Sequence, residues 1–159
     1  MIEVGQKLPE FTFRVATEEG PTTRSTSELF GGKKVVLFAV PGAFTPTCNN
    51  NHLPGYINNI AAFKAKGVDT IAVIAVNDVH VMRAWAKANN ALGRIEFLAD
   101  GSAEFTGAIG MELDRVAAGM GIRSQRYSML IEDGVVKAIN LDDGGKLDVS
   151  NAETVLGQA

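Results

Sequence analysis

Apolar and polar positions follow two periods along this chain. Residues 35–40 and 71–76 are unbroken runs of Val, Ile, Leu, Phe and Ala, and they read as the cores of buried strands over 33–40 and 70–76. Shorter apolar segments at 11–15 and 94–98 predict two more. Between them the period becomes helical. Tyr56, Ile57, Ile60 and Phe63 share a face over 56–66, with Gly67 as the stop. Val81, Met82, Trp85 and Ala88 share a face over 79–91, with Asp78 placed as N-cap. A single helical turn is expected at 27–30 before Gly31-Gly32, and a short helix at 102–109. Another helix starts at Pro46 or Thr47. It is expected to break around Leu53-Pro54-Gly55, because an interior proline removes a hydrogen bond and clashes with the preceding turn.

Late in the chain the pattern returns to strands. Asp133-Gly134, between apolar runs at 126–132 and 135–141, is a strong hairpin signal. Ser150-Asn151-Ala152-Glu153 has the spacing of a capping box and should open a last helix to Gly157. Strand–helix alternation implies parallel pairing, and the hairpin adds an antiparallel edge. The reading is an α/β protein of thioredoxin-like fold: a mixed central sheet, helices on both faces and an N-terminal strand extension. A flavodoxin-like sheet is the alternative, and the late hairpin counts against it.

Composition narrows this further. The chain has 159 residues, 46% hydrophobic and 21% charged, so it reads as one domain over 1–159 with a core large enough to need no staples. A net charge of −3 argues against a nucleic-acid or anionic-membrane partner. No targeting segment is visible and the apolar runs are too short to span a bilayer, so a cytoplasmic location is expected. No phosphate-cradling loop is present, since Gly107-Ala108-Ile109-Gly110 and Gly119-Met120-Gly121 lack a strand-to-helix setting. There is one cysteine, Cys48, and two histidines. That excludes an intrachain disulfide and a cysteine-rich zinc site, and no cofactor or metal is implied.

Cys48 follows a buried strand and falls in the first turn of a helix, where ligands collect and the helix dipole favours an anion. A thiolate there is a nucleophile. The bland reading of a lone cysteine is a small buried hydrophobe, but the loop before it is rigid, polar and punctuated by proline. Thr45 lies one turn ahead, where its hydroxyl could face the sulfur. Pro41 has a fixed φ, lacks an N–H, and could wall one side of a pocket. His52 lies one helical turn after Cys48 and reads as a capping or packing residue, a positioning role being the other reading. His80, Asp114 and the Asp142-Asp143 pair read as surface groups.

Pro41-x-x-x-Thr45-x-x-Cys48 resembles the peroxiredoxin active-site motif. The fuller run Val40-Pro41-Gly42-Ala43-Phe44-Thr45-Pro46-Thr47-Cys48, followed by His52-Leu53-Pro54-Gly55-Tyr56, is similar to the peroxiredoxin-5 (type II) subfamily. Val76-Asn77-Asp78, Leu98-Ala99-Asp100, Arg126-Tyr127-Ser128-Met129 and Asp133-Gly134-Val135-Val136-Lys137 extend the match in family order. The resemblance implies a thiol peroxidase. Cys48 would be the peroxidatic cysteine, Thr45 a hydrogen-bonding partner of peroxide and thiolate, Pro41 a shield of the substrate pocket and Arg126 the arginine entering from a later strand. Arg123 is three residues away, and apart from the resemblance the two arginines are nearly even.

The thiolate would attack one peroxide oxygen and become a sulfenic acid. Some relatives carry a second cysteine before the last helix, where this chain reads Leu147-Asp148-Val149-Ser150, or in the strand position occupied by Val73. With neither thiol, the one-cysteine form implies an external reductant: glutathione, glutaredoxin or thioredoxin. The substrates implied are hydrogen peroxide and alkyl hydroperoxides. The alternatives are a peroxide sensor or redox relay using the same cysteine, and a binding module with an inert Cys48. The resemblance also implies a homodimer, with Phe44 and Phe105 as contact residues.

Overall fold

The structure, a computed structural model, describes residues 1–143 and 146–159. Nine strands are found among them: β1 (Thr12–Thr17), β2 (Gly20–Ser25), β3 (Lys34–Val40), β4 (Thr70–Ala75), β5 (Glu96–Ala99), β6 (Glu112–Arg115), β7 (Gly121–Ser124), β8 (Tyr127–Glu132) and β9 (Val135–Leu141). Six α-helices accompany them: α1 (Thr26–Phe30), α2 (Leu53–Asn58), α3 (Ile60–Ala65), α4 (Val79–Ala88), α5 (Glu104–Ala108) and α6 (Ala152–Gln158). Seven strands form one sheet in the order β2-β1-β5-β4-β3-β8-β9, and β6 pairs with β7 alone. The β3–β4 and β4–β5 pairs are parallel, while β3–β8, β8–β9, β1–β5 and β1–β2 are antiparallel. This is the mixed thioredoxin-like sheet expected from the strand–helix alternation.

Strand β3 lies in the interior of the sheet, between β4 and β8, and both of its faces are apolar. Val36, Phe38 and Val40 point into a core shared with Tyr56, Phe63, Trp85 and Val155. Val35, Leu37 and Ala39 point into a second core with Phe13, Phe30, Phe105 and Met129. A period of two along a strand buried on both faces requires this division. Cys48 belongs to the first core, beyond the carboxyl end of β3.

Local signals held at several joints. The Asp78 carboxylate accepts the amides of His80 and Val81 and caps α4. Asp133 and Gly134 both have positive φ, 49° and 74°, the pattern of a type I′ hairpin turn.

Other expectations need correction. The helix carrying Cys48 does begin at Pro46, but it does not break at Leu53-Pro54-Gly55. Residues Cys48–His52 form a wider π-helical turn, closed by the Leu53 amide on the Cys48 carbonyl. That turn lies directly ahead of Pro54 and accommodates a ring that would strike a regular turn. The interruption comes instead at Asn59, between α2 and α3. The last helix is capped by Asn151, whose side chain accepts the Thr154 amide. Ser150 is buried and turned to another use. Strands β2, β6 and β7 had no expectation. Phe105 is fully buried against Phe11 and Phe13, so it is not available as a subunit contact, whereas Phe44 is 49% exposed.

Candidate active site

Four segments carry the candidate residues. Residues 41–47 form the loop after β3, and the π-helical turn carries Cys48 and His52. Arg126 directly precedes β8, and residues 148–150 precede α6. The Cys48 side chain is buried, as are Pro41, His52 and Arg126; Thr45 is half-buried. Phe44, in the loop, has a φ of +63°, an uncommon backbone for a bulky residue.

Arg126 Nη2 donates to Cys48 Sγ at 3.1 Å. A buried guanidinium beside sulfur provides a countercharge for the thiolate and a charge-assisted hydrogen bond to it. Arg123, the other arginine considered, is committed elsewhere: its Nε donates to the Met120 carbonyl at 2.8 Å and its Nη1 to the Val76 carbonyl at 3.1 Å. Thr45 does not turn its proton to the sulfur. Its Oγ1 donates to the Gly42 carbonyl at 2.7 Å, leaving lone pairs free to accept.

His52 sits at the centre of a network that residue order alone does not show. Arg126 Nη1 lies 2.8 Å from His52 Nδ1, and His52 Nε2 lies 2.9 Å from the Ser150 carbonyl oxygen. A guanidinium only donates and a carbonyl only accepts, so the ring is fixed: Nδ1 accepts and Nε2 carries the proton. Packing against Phe38 and Tyr56, at centroid distances of 5.0 and 5.6 Å, keeps water off the ring. Burial pushes the His52 pKa from 6.5 down to about 3, partly opposed by the Ser150 hydrogen bond and reinforced by the Arg126 charge. The imidazole is therefore neutral at neutral pH.

Asp142 corrects the reading of a solvated turn. It is only 4% exposed. Its carboxylate accepts the amides of Asp148, Val149 and Ser150 at 3.1, 2.8 and 3.0 Å, and also the Ser150 hydroxyl. Burial alone would raise its pKa, but the hydrogen bonds from the Ser150 hydroxyl and the three amides outweigh it and hold the carboxyl below its ordinary value. Tyr56 adds its hydroxyl to the Ser150 carbonyl at 2.7 Å. The backbone closes the circuit, with the Asp142 amide on the Arg126 carbonyl at 2.9 Å. Of these groups, only His52 had a usable sequence signal, its position four residues after Cys48 on a helix. Asp142 and Ser150 are eight residues apart, and no periodicity in the sequence exposes them as a pair.

The Redoxin family pattern matches residues 3–156. Peroxiredoxin-2C of Oryza sativa subsp. japonica is 50% identical over 98% of this chain and 96% of its own length. The chain belongs to the peroxiredoxins. Within them it falls in the type II, peroxiredoxin-5-like subfamily and is a thiol peroxidase with Cys48 as peroxidatic cysteine. Peroxiredoxin-2E, chloroplastic, of Arabidopsis thaliana is 46% identical over 98% of this chain and 68% of its own length. The crystal structure of reduced Prx3 from Vibrio vulnificus in complex with H2O2 is 54% identical, with a TM-score of 0.94 over 99% of both chains. In this chain the peroxidatic sulfur is buried and lies beside the buried Arg126 guanidinium.

Proposed function

We propose that this peroxiredoxin reduces hydrogen peroxide and small alkyl hydroperoxides at Cys48, with Arg126, Thr45 and Pro41 as the site around it. The observation that carries this reading is the 3.1 Å contact between Arg126 Nη2 and Cys48 Sγ. The Cys48 thiolate attacks one peroxide oxygen as the O–O bond breaks. Sulfur is oxidised to the sulfenic acid and the other oxygen leaves as hydroxide or alkoxide, to be protonated by water. Arg126 stays charged and places fixed donors where negative charge develops. Because the Thr45 proton is held by the Gly42 carbonyl, its hydroxyl oxygen accepts from the peroxide O–H. Pro41 shields the sulfur. The hydrogen peroxide bound in the Vibrio vulnificus structure supports a small peroxide as substrate.

Return to the thiol needs an external reductant of the glutathione, glutaredoxin or thioredoxin class, since Cys48 is the sole cysteine. The same reading treats 1–159 as one domain and takes the protein to be a homodimer with Phe44 at the contact. It places the protein in the cytoplasm, where a lone thiol is kept reduced; no nucleic-acid or membrane partner enters it.

A stopped-flow reaction of the reduced protein with hydrogen peroxide tests the proposal. Wild type should oxidise far faster than free cysteine, and Cys48→Ser should not consume peroxide. Arg126→Ala should oxidise about 10²- to 10³-fold more slowly, as expected for loss of a donor aimed at developing charge. Oxidation no faster than a free thiol would end the reading. Fast oxidation without turnover under glutathione–glutaredoxin or thioredoxin would move the protein to a peroxide sensor.

A further inference from the structure

We infer that His52 is a positioning residue for Arg126, held in register by the Ser150 carbonyl and the Asp142-anchored turn at residues 148–150. The inference rests on Arg126 acting at the sulfur as proposed above, and it explains what holds that arginine in place.

A guanidinium at the end of a flexible side chain has many rotamers, and contacts on more than one of its nitrogens are needed to select among them. Arg126 is gripped from the other side by His52 Nδ1 at 2.8 Å while Nη2 faces sulfur at 3.1 Å. Two adjacent nitrogens of one planar group are thus directed at two fixed acceptors, which sets the plane of the fork. His52 can accept only if Nδ1 is unprotonated. That tautomer is selected by the Ser150 carbonyl, which needs a proton from Nε2 at 2.9 Å. The carbonyl is aimed in turn by the Asp142 carboxylate, which gathers the amides of Asp148, Val149 and Ser150. Asp142 is tied through its own amide to the Arg126 carbonyl. The chain of contacts therefore begins and ends on Arg126. Burial of the side chains of Cys48, His52, Arg126 and Asp142, from 0% exposure at Cys48 to 4% at Asp142, removes water as a substitute partner.

Two substitutions separate the halves of the imidazole. His52→Asn keeps an acceptor oxygen where Nδ1 stands and loses the group facing Ser150, whose carbonyl still has Tyr56. His52→Gln reaches the Nε2 position and presents no acceptor where Nδ1 stands. Reduced full-length protein is mixed with hydrogen peroxide, and the sulfenic acid is trapped with dimedone and counted by mass spectrometry. Alkylation by iodoacetamide, which needs no arginine-held leaving oxygen, is measured alongside. His52→Gln and His52→Ala should slow peroxide oxidation about 10- to 100-fold, the scale of a misplaced catalytic group, without an equal loss in alkylation. His52→Asn should recover most of that loss. Should His52→Ala fail to fold, the Asn and Gln pair still decides. Equal rates for Asn and Gln, or a matching fall in alkylation, would overturn the relay. Wild-type oxidation by the His52 variants with a slow Arg126→Ala would also overturn it while leaving the site reading intact. A wild-type rate in Arg126→Ala would instead overturn the site reading itself.

Discussion

Acidification should unfold this protein through His52, and the size of the effect follows from its burial. In the unfolded chain His52 takes a proton at its ordinary pKa of 6.5; in the folded chain it does so only at about 3. Between those values the unfolded state binds more protons, so stability falls as pH falls, and the loss levels off below about 3. From pH 7 to pH 5 the unfolded state gains about 1.4 log units of proton binding that the folded state does not, or about 2 kcal/mol. The full loss, approached below pH 3, is about 5 kcal/mol. Asp142 acts in the same direction at lower pH, because its folded carboxyl is held below the ordinary value. Urea unfolding of wild type and His52→Asn at pH 7 and pH 5 isolates the histidine, since every other group is common to both. Wild type should lose about 2 kcal/mol more than the variant over that interval. Parallel losses in the two proteins would refute the argument, and would mean that the ring accepts a proton in the folded state without penalty.

Asp142→Asn cannot accept from three amides and a hydroxyl; hydrogen exchange at Asp148, Val149 and Ser150 should accelerate, with peroxide oxidation of Cys48 slowed. Phe38→Ala removes a fully buried ring stacked on Tyr56 at 3.8 Å and should cost about 3–5 kcal/mol by chemical denaturation. Gly134→Ala places a side chain at a φ of +74° and should cost about 1–2 kcal/mol, with the active-site rate untouched. Asn49→Ala removes the acceptor of the Trp85 indole, 2.9 Å away; tryptophan emission should shift and iodoacetamide should reach Cys48 faster.

What could be read from residue order divides along physical lines. Strand β3 was legible because both faces of the sheet demand apolar side chains, and the hairpin because only a few residue types tolerate two positive φ angles in succession. Strand β2, with the sequence Gly-Pro-Thr-Thr-Arg-Ser, is an exposed edge strand and shows no apolar alternation. The β6–β7 pair is likewise largely exposed, so its strands carry no burial pattern to detect. At the site, Cys48 stood out by its loop. Arg123 and Arg126 could not be separated by chemistry, since both lie in the same short stretch. Their fates differ only because one is taken up by the Met120 and Val76 carbonyls and the other by sulfur and His52. Asp142 was misread for the opposite reason to β2. A pair of aspartates after a strand is usually hydrated, and only the return of residues 148–150 over it supplies the amides that make burial tolerable.

The two halves of the proposed cycle make opposing demands on the same turn. Peroxide is small, and on the proposed reading it is reduced where Cys48, Arg126 and His52 are packed with near-zero exposure. The regenerating thiol is larger, and attack on a sulfenic acid requires the sulfur to be in line with an incoming sulfur. A fully buried Cys48 does not present that geometry, and on the proposed cycle the turn carrying it would have to open between the two steps. The π-helical turn Cys48–His52 is the natural place. Its hydrogen bonds are less regular than those of the α2 helix that follows, and Asn49 ties it laterally to α4 through Trp85. Opening there would carry His52 away from the Ser150 carbonyl and from Arg126. The proposed relay would thereby be dismantled in the form that meets the thiol. A variant that strengthens the turn should favour oxidation over regeneration, and one that weakens it, such as Asn49→Ala, should do the reverse: slower peroxide oxidation, with faster recovery of the sulfenic acid by glutathione. Loss of both rates together would show that one packed geometry serves both steps.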